Sequence, residues 1–332
     1  MYPRSKTRPT ISQVAALAGV NRSTVSRAFT RPDMLSPETV ERIMQAARDM
    51  GYVPNHTARA LSTGRHGNIA LIVPDVANPF FPPLIRAAQQ ELDRRDFCLF
   101  LGNSDEDPKQ EDRLVGRLAG QVEGLILASS RLPDERVRAH AATRPLVLVN
   151  RDITGIPRVL IDSGSGVGEA VAHLARLGHH RIAYVSGPAT SWSNRQRLDA
   201  VRQASERLGL RHVVIATATP SYDAGAAVAA EVLDSGVTAA VAFDDLIAHG
   251  LLGGLAERGV AVPSAFSVIG CDDVLGAATY PPLTSVSNRS AEAGRAALFM
   301  LMEMLSNRAT RDDRQALETH LVIRETTARP PG

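Results

Sequence analysis

The sequence holds only two cysteines, Cys98 and Cys271, and 4% aromatic residues. No apolar run approaches the roughly 20 residues that a membrane-spanning helix needs. Two distant thiols, each inside an apolar stretch, make no disulfide framework and read as reduced core residues of a cytoplasmic protein. The opening MYPRSKTRPT lacks the apolar segment of a secretory signal. With aromatics scarce, Ala, Val, Leu and Gly must fill the interior, which suits helices packed on parallel strands. At 332 residues, 44% hydrophobic and 22% charged, the chain has enough to bury for two or three globular units.

The net charge of +2 conceals an asymmetry. Residues 1–68 carry ten Lys or Arg against four Asp or Glu, a net of +6; the remainder carries 27 against 31, a net of −4. A basic head on a mildly acidic body points to a polyanionic partner for the head. Within it, TISQ at Thr10 forms a capping-box pattern with Gln13, and Ile11, Val14, Ala15 and Ala18 keep one apolar face up to Gly19. After AGVN, Asn21 is placed to cap a second helix with Val25 and Phe29 inward. Ser36-Pro37 opens a third, with Val40, Ile43, Met44 and Ala47 facing in, and Gly51 stops it. The second helix, NRSTVSRAF, then turns Arg22, Ser23, Ser26 and Arg27 outward, a mixture that fits guanine edges and phosphates in a major groove. A plain three-helix bundle with solvated arginines is the alternative, and Arg4, Lys6 and Arg8 upstream weigh against it. Downstream, YVPNHTARALSTG reads as a linker or as a short helix after Pro54, capped by Asn55. Ala58 and Leu61 share one side of that helix, flanked by His56 and Arg59. Such a small apolar wedge can enter a minor-groove step.

At this point the sequence resembles the lac-repressor (LacI/GalR) family of bacterial transcriptional regulators. TISQVAALAGVNRSTVSRAF is similar to its helix-turn-helix and GYVPNHTARALSTG to its hinge helix. The similarity continues through IALIVPDVANPFF, VEGLILAS, LVLVNR, LGHHRIAYVSGP, FDDLIAHG, SVIGCDD, PPLTSV and LVIRETT. The resemblance implies base reading by Arg22, Ser23 and Arg27, and edge or phosphate contacts by Thr24 and Ser26. Thr10, Asn55 and Arg59 are further DNA-binding candidates. Leu61 takes the position of the family's wedging leucine, with Ala58 beside it.

From Asn68 onward, strand-like runs (NIALIVPD, FCLFLGNS, GLILAS, PLVLVNR, RVLID, RIAYVSGP, HVVIATA, TAAVAFD, SVIGCDD) alternate with helical stretches, the pattern of parallel strands covered on both faces. Ligands of such sheets bind beyond the carboxyl ends of strands. That rule singles out Phe80, Phe81, Asn150, Arg151, the segment Trp192 to Arg197, Asp244, Asp245, Asp272 and Asp273. An arginine, carboxylates and aromatic faces together suit a polyhydroxylated ligand. Asp245 and Asp273 read as helix caps. For Arg197 and Asp272 the resemblance implies effector contact, with Phe80, Phe81, Arg151, Trp192, Ser193, Tyr222 and Asp244 as companions. Two departures bear on effector preference. Asp244 stands where many relatives have an amide, and Pro220 stands where some have an aromatic, with Tyr222 close by.

Catalytic patterns are missing. GSGVGE, Gly164 to Glu169, sets an acid where a dinucleotide fingerprint needs its last glycine. No G-x-S-x-G elbow occurs. His179-His180 lacks further metal-ligand spacing and reads as a loop. Asp75 and Asp105-Glu106-Asp107 read as solvated strand-end acids. No enzyme activity, cofactor or metal is expected.

The expected architecture is a small all-α helix-turn-helix head (1–54), a hinge (55–67) and an α/β periplasmic-binding-protein-like body (68–332) of two Rossmann-like parallel-sheet lobes. Lobe 1 takes 68–163 and 290–318; lobe 2 takes 164–289 and 319–328. Three crossings between lobes make a hinge that a ligand closes. The expected function is a transcriptional repressor, a homodimer on a near-palindromic operator, controlled by a carbohydrate-like effector and independent of membranes. After Thr327 only ARPPG remains, which leaves no heptad helix for tetramers. The rival readings are a solute-binding protein of a sugar transport system and an enzyme with a DNA-binding head.

Overall fold

A computed structural model of the chain describes residues 9–53, 66–274, 276–306 and 312–331. It divides into two compact units, Met1–His66 and Gly67–Gly332. The hinge candidates Asn55, Ala58, Arg59 and Leu61, and the basic residues Arg4, Lys6 and Arg8, lie outside the described residues.

The first unit contains α1 (Ile11–Ala18), α2 (Arg22–Thr30) and α3 (Pro37–Met50). The capping box forms: the Thr10 backbone N–H donates to Gln13 Oε1 at 2.8 Å. Gly19, at φ 66°, ends α1 in the left-handed region, where a Cβ would be strained. Ser36 caps α3, its hydroxyl accepting from Thr39 N at 3.3 Å, and Pro37 occupies the first helical position. Asn21 departs from expectation. It has the extended backbone of a cap, but its side chain makes no capping bond. Val14, Ala15, Ala18, Val25, Ala28, Ile43, Ala46 and Ala47 form the core, with Phe29 against Tyr52 at 6.0 Å between ring centroids. These are small side chains, so the helices approach closely around a thin core.

The second unit holds two sheets of like order. One comprises β1 (Asn68–Val73), β2 (Cys98–Asn103), β3 (Gly124–Ala128), β4 (Leu146–Val149), β5 (Arg158–Asp162) and β11 (Arg314–Glu318), ordered β11-β5-β4-β3-β1-β2 and parallel throughout. Its helices are α4 (Phe81–Asp93), α5 (Pro108–Leu118), α6 (Asp134–Ala141) and the returning α12 (Ser290–Leu305). The other comprises β6 (Arg181–Ser186), β7 (Arg211–Ala216), β8 (Ala239–Ala242), β9 (Ser267–Cys271), β10 (Thr284–Val286) and β12 (Leu321–Val322), ordered β12-β10-β9-β8-β6-β7, with only β12 antiparallel. Its helices are α7 (Ser163–Leu177), α8 (Trp192–Leu208), α9 (Tyr222–Ala227), α10 (Ala229–Asp234) and α11 (Asp245–Glu257). The chain passes between lobes after β5, after β10 and after β11.

In each lobe the second strand lies on one side of the first and the third on the other. Each sheet therefore has a topological switch point beside its first strand (β1 or β6). Strands β1, β3, β4, β8 and β9 are buried almost throughout, as continuous apolar runs require. The edge strands β2 and β7 are only half covered, leaving Leu101 and Val214 exposed. This corrects the expectation for Cys98: it sits on the β2 edge and is exposed, whereas Cys271 at the end of β9 is buried. An apolar run does not reveal which strand ends a sheet.

Candidate functional site

The head offers one candidate surface. On α2, Val25 and Ala28 are buried and Arg22, Ser23, Ser26 and Arg27 exposed, with Thr24 half-buried and Thr10 exposed at the start of α1. Two arginines and two hydroxyls thus share the outer face of one short helix. The inner face is fixed by the small-residue core.

The body offers a cleft between its two lobes. The first lobe lines it with Asn78, Phe80, Phe81, Glu106, Ser129, Arg131 and Asn150. The second contributes Ser191, Ser193, Arg197, Pro220, Phe243, Asp244 and Asp272. All of these follow the carboxyl ends of strands, and all except Glu106 are buried. The segments after β1 and β3 face those after β6 and β8, so the two switch points share one site.

Backbone geometry sharpens this. Ser129, Asn150 and Asp272 each directly follow a strand, and their N–H groups extend the ladder to Val149, Val159 and Val286 at 2.7, 2.9 and 2.9 Å. Each then turns left-handed, at φ 50°, 52° and 109°, as does Glu106 at 59°. Non-glycine residues in that region are costly and gather at functional sites.

Arg197, on α8, is the hub of the second lobe. Its Nε donates to Ser163 Oγ at 3.1 Å, its Nη1 to the Phe243 carbonyl and its Nη2 to Asp272 Oδ1 at 2.9 Å. The guanidinium lies 4.8 Å from the centroid of the Phe243 ring. Asn194, one turn earlier, accepts from Tyr184 Oη and Gly187 N, which fixes the start of the helix. Burial raises the Asp272 carboxyl, and Arg197 opposes the shift. Burial, joined by the nearby Asp272 charge, pushes Asp244 up to about 7. Asp244 Oδ1 accepts from Ile247 N at 2.9 Å and its Oδ2 from Asn78 Nδ2 at 3.2 Å, the latter bond crossing the cleft. On the first lobe, Arg131 donates to Glu106 through Nε and Nη2 at 2.5 and 3.0 Å and to Ser129 O at 2.7 Å.

Several expectations change. Asp244, not Asp245, caps α11; Asp245 instead accepts from Ser285 Oγ and Val274 N, tying the helix to the loop after β9. Asp273 is no cap either and pairs with Arg324 at 2.6 Å. Glu106, expected to be solvated, belongs to the cleft, and its neighbour Asp107 caps α5. His179 is buried, bonded to Thr238 Oγ1 and to the Ala328 carbonyl.

Phe80, Phe81, Ser193, Arg197, Asp244 and Asp272 come together in the cleft; Arg151, Trp192 and Tyr222 do not line it. The Arg151 guanidinium reaches Ser130 O, Leu132 O and Asp134 at 3.2, 2.9 and 2.6 Å, so the segment after β3 satisfies it. Trp192, at the first position of α8, is half-buried outside the lining. Tyr222 is 49% exposed and packs where α9 meets Gly253 of α11, leaving Pro220 as that segment's lining residue. The sequence reading missed Asn78, Ser129, Arg131, Ser191 and Phe243 as lining residues and took Glu106 for a solvated acid. The strand-end rule pointed at their segments, but their side chains meet only through sheet order.

A helix-turn-helix unit joined to a two-lobed α/β unit with a polar cleft between its switch points defines a ligand-responsive DNA-binding regulator. The comparisons agree. Residues 10–55 match the model for bacterial regulatory proteins of the lacI family, and residues 171–327 match a periplasmic binding protein-like domain. The transcriptional regulator CelR of Thermobifida fusca is 34% identical, over 96% of this chain and 98% of its own. The repressor CytR of Escherichia coli K12 is 30% identical over 99% of both. Among solved structures, the lac repressor dimer bound to operator and an anti-inducer superposes with a TM-score of 0.88 at 26% identity, covering 97% of this chain and all of that one. A CelR–cellobiose complex gives 0.73 at 33% identity, covering 96% and 100%. The chain belongs to the lacI family of bacterial regulatory proteins. It is a transcriptional regulator, not a transport protein and not an enzyme. Among its described residues, no helix is long and apolar enough to cross a membrane.

Proposed function

We propose that this regulator is a cytoplasmic homodimeric repressor. Arg22, Ser23 and Arg27 of α2 read a near-palindromic operator, assisted by Thr10, Thr24 and Ser26, and a carbohydrate-like effector in the cleft sets operator affinity. Residues 1–54, 55–67 and 68–332 then divide into reader, hinge and sensor. The observation that carries the sensor reading is the buried Arg197–Asp272 pair beside Asp244, at the meeting of two switch points and flanked by Phe80, Phe81 and Phe243. Carboxylates and a guanidinium give directional, charge-assisted bonds to hydroxyls, while the rings cover the apolar face of a sugar. The proposal agrees with relatives solved with cellobiose and with ribose. Because a ligand can shift an equilibrium only by its differential affinity, the effector must hold the lobes differently from the way they rest without it.

The test is a gel shift of the full-length protein on its own upstream region, repeated with a panel of sugars. A specific shift that one sugar abolishes or strengthens supports the proposal. Equal retention of operator and unrelated DNA, with no sugar altering it, would sink it.

A further inference from the structure

Among the described residues, five ionisable side chains line the cleft: Glu106, Arg131, Arg197, Asp244 and Asp272. Their charges do not cancel. Arg131 is matched by Glu106 at 2.5 Å, and Arg197 by Asp272 at 2.9 Å. Both guanidiniums use their remaining directions on the carbonyls of Ser129 and Phe243 and on the Ser163 hydroxyl. Asp244 remains, 1% exposed, with only two neutral donors, the Ile247 amide and the Asn78 side chain.

Helix N-termini could in principle welcome an anion. Helices α8 and α11 carry their own caps at the cleft, Ser191 Oγ accepting from Asn194 N and Asp244 Oδ1 from Ile247 N. Helix α4 has no side-chain cap, but Phe81 N donates to the Asn78 carbonyl at 3.1 Å, and Pro82 and Pro83 have no N–H to offer. A phosphate or carboxylate entering this site would find no unmatched cation among the described residues. It would face the Asp244 carboxylate and would have to draw Arg197 from Asp272 or Arg131 from Glu106, stranding a buried acid.

We propose that the effector carries no anionic group and presents a hydroxyl or an ammonium donor to Asp244, which makes this residue the charge filter of the cleft. The inference rests on the carbohydrate reading above and narrows it: neutral sugars and amino sugars are admitted, and sugar phosphates and sugar acids are refused. It also explains why an acid at this position is tolerated at all. Burial holds the Asp244 carboxyl up near 7, and a donor brought by the ligand offsets the cost of its charge.

The experiment is calorimetry and thermal shift of the full-length protein at pH 8 with matched probe sets. These are glucose, glucosamine, glucose 6-phosphate and glucuronate; ribose and ribose 5-phosphate; and cellobiose and its aldonic acid. In whichever set binds, the uncharged or amine-bearing member should bind at least about tenfold more tightly than the anionic one, and Asp244→Asn should narrow that gap by about tenfold. An anionic member that binds best overturns the charge filter and leaves the carbohydrate reading standing. A panel in which nothing binds removes the carbohydrate reading and this inference with it. Undiminished discrimination in Asp244→Asn, with the parent's affinity for the neutral member retained, overturns the assignment to Asp244.

Discussion

The head and the body use arginine in opposite ways. On the head, Arg22 and Arg27 stand exposed on one face of a nine-residue helix, and neither guanidinium forms a hydrogen bond or ion pair among the described residues. In the body, Arg131, Arg151, Arg158 and Arg197 are each 7% exposed or less and each holds a carboxylate. Their partners explain the difference. DNA brings rigidly spaced phosphates and base edges, so a reading arginine must remain unmatched until DNA arrives. A small ligand cannot organise its own surroundings, so the cleft must be built beforehand, and a buried cation needs its counter-ion whether or not ligand is present. Side-chain freedom serves the first task and fixed geometry the second.

Arg197→Ala is expected to break the body most severely. It leaves Asp272 as a buried, unmatched acid and the Phe243 carbonyl without its donor, a loss of about 3–5 kcal/mol. Urea denaturation followed by the near-ultraviolet signal of Trp192, which lies in the body, reads this directly. A loss below about 1 kcal/mol would mean that the pair is not the brace described. Asp272→Asn keeps a neutral acceptor for Arg197, should be milder, and should bind operator while losing its response to effector.

The segment 55–67, proposed above as the hinge, comes next. Leu61→Ala should weaken operator binding by on the order of a hundredfold while effector affinity stays unchanged, because an apolar wedge acts only on bent DNA. Fluorescence anisotropy on operator and calorimetry with effector separate the two quantities, and equal operator affinity in mutant and parent refutes the wedge.

For the reading helix, replacing Arg22 or Arg27 by Ala should cost roughly 1–3 kcal/mol each and relax preference at particular operator positions. If these arginines act only as unmatched positive charge, the loss will be uniform across single-base operator variants, with a shallower salt slope.

The smallest effect concerns Asp244. Burial holds its folded-state pKa above the unfolded value, so the native state binds the extra proton and stability falls as pH rises from about 4 to about 7. Asp244→Asn removes that dependence, although it sets two amides face to face at Asn78. Relative to the parent, the variant should therefore be most stable at pH 8 and lose that advantage steadily towards pH 5. Thermal melts across that range check it. A gain that is constant with pH would mean that Asp244 does not titrate there.

The sequence was most legible where structure is local. The capping box at Thr10, the stops at Gly19 and Gly51, Pro37 at the start of α3 and the outward face of α2 depend on neighbours within four residues, and each formed as the spacing required. Near misses arose where one position decides a boundary. Asp244 and Asp245 are equivalent as letters, but only the residue with extended backbone can cap, and the next turns its carboxylate to Ser285. Strand order defeated the reading of Cys98, because an edge is a property of the sheet and not of the run.

By itself, then, the sequence determined the outward arginine and hydroxyl face of α2, the alternation of strands and helices, and the rule that sent attention to strand ends. It also determined, through resemblance to a family, that Arg197 and Asp272 belong to one site. Tertiary structure alone decided which strand-end residues meet. Glu106 joins Arg131 across 25 residues of sequence, and Asn78 reaches Asp244 across 166. It also decided that Arg151 is consumed by the segment after β3. The reason is physical. Helix caps and amphipathic faces are fixed by hydrogen bonds and spacings that close within one turn. A cleft is fixed by the packing order of the strands, and no local pattern encodes which of their ends will face one another.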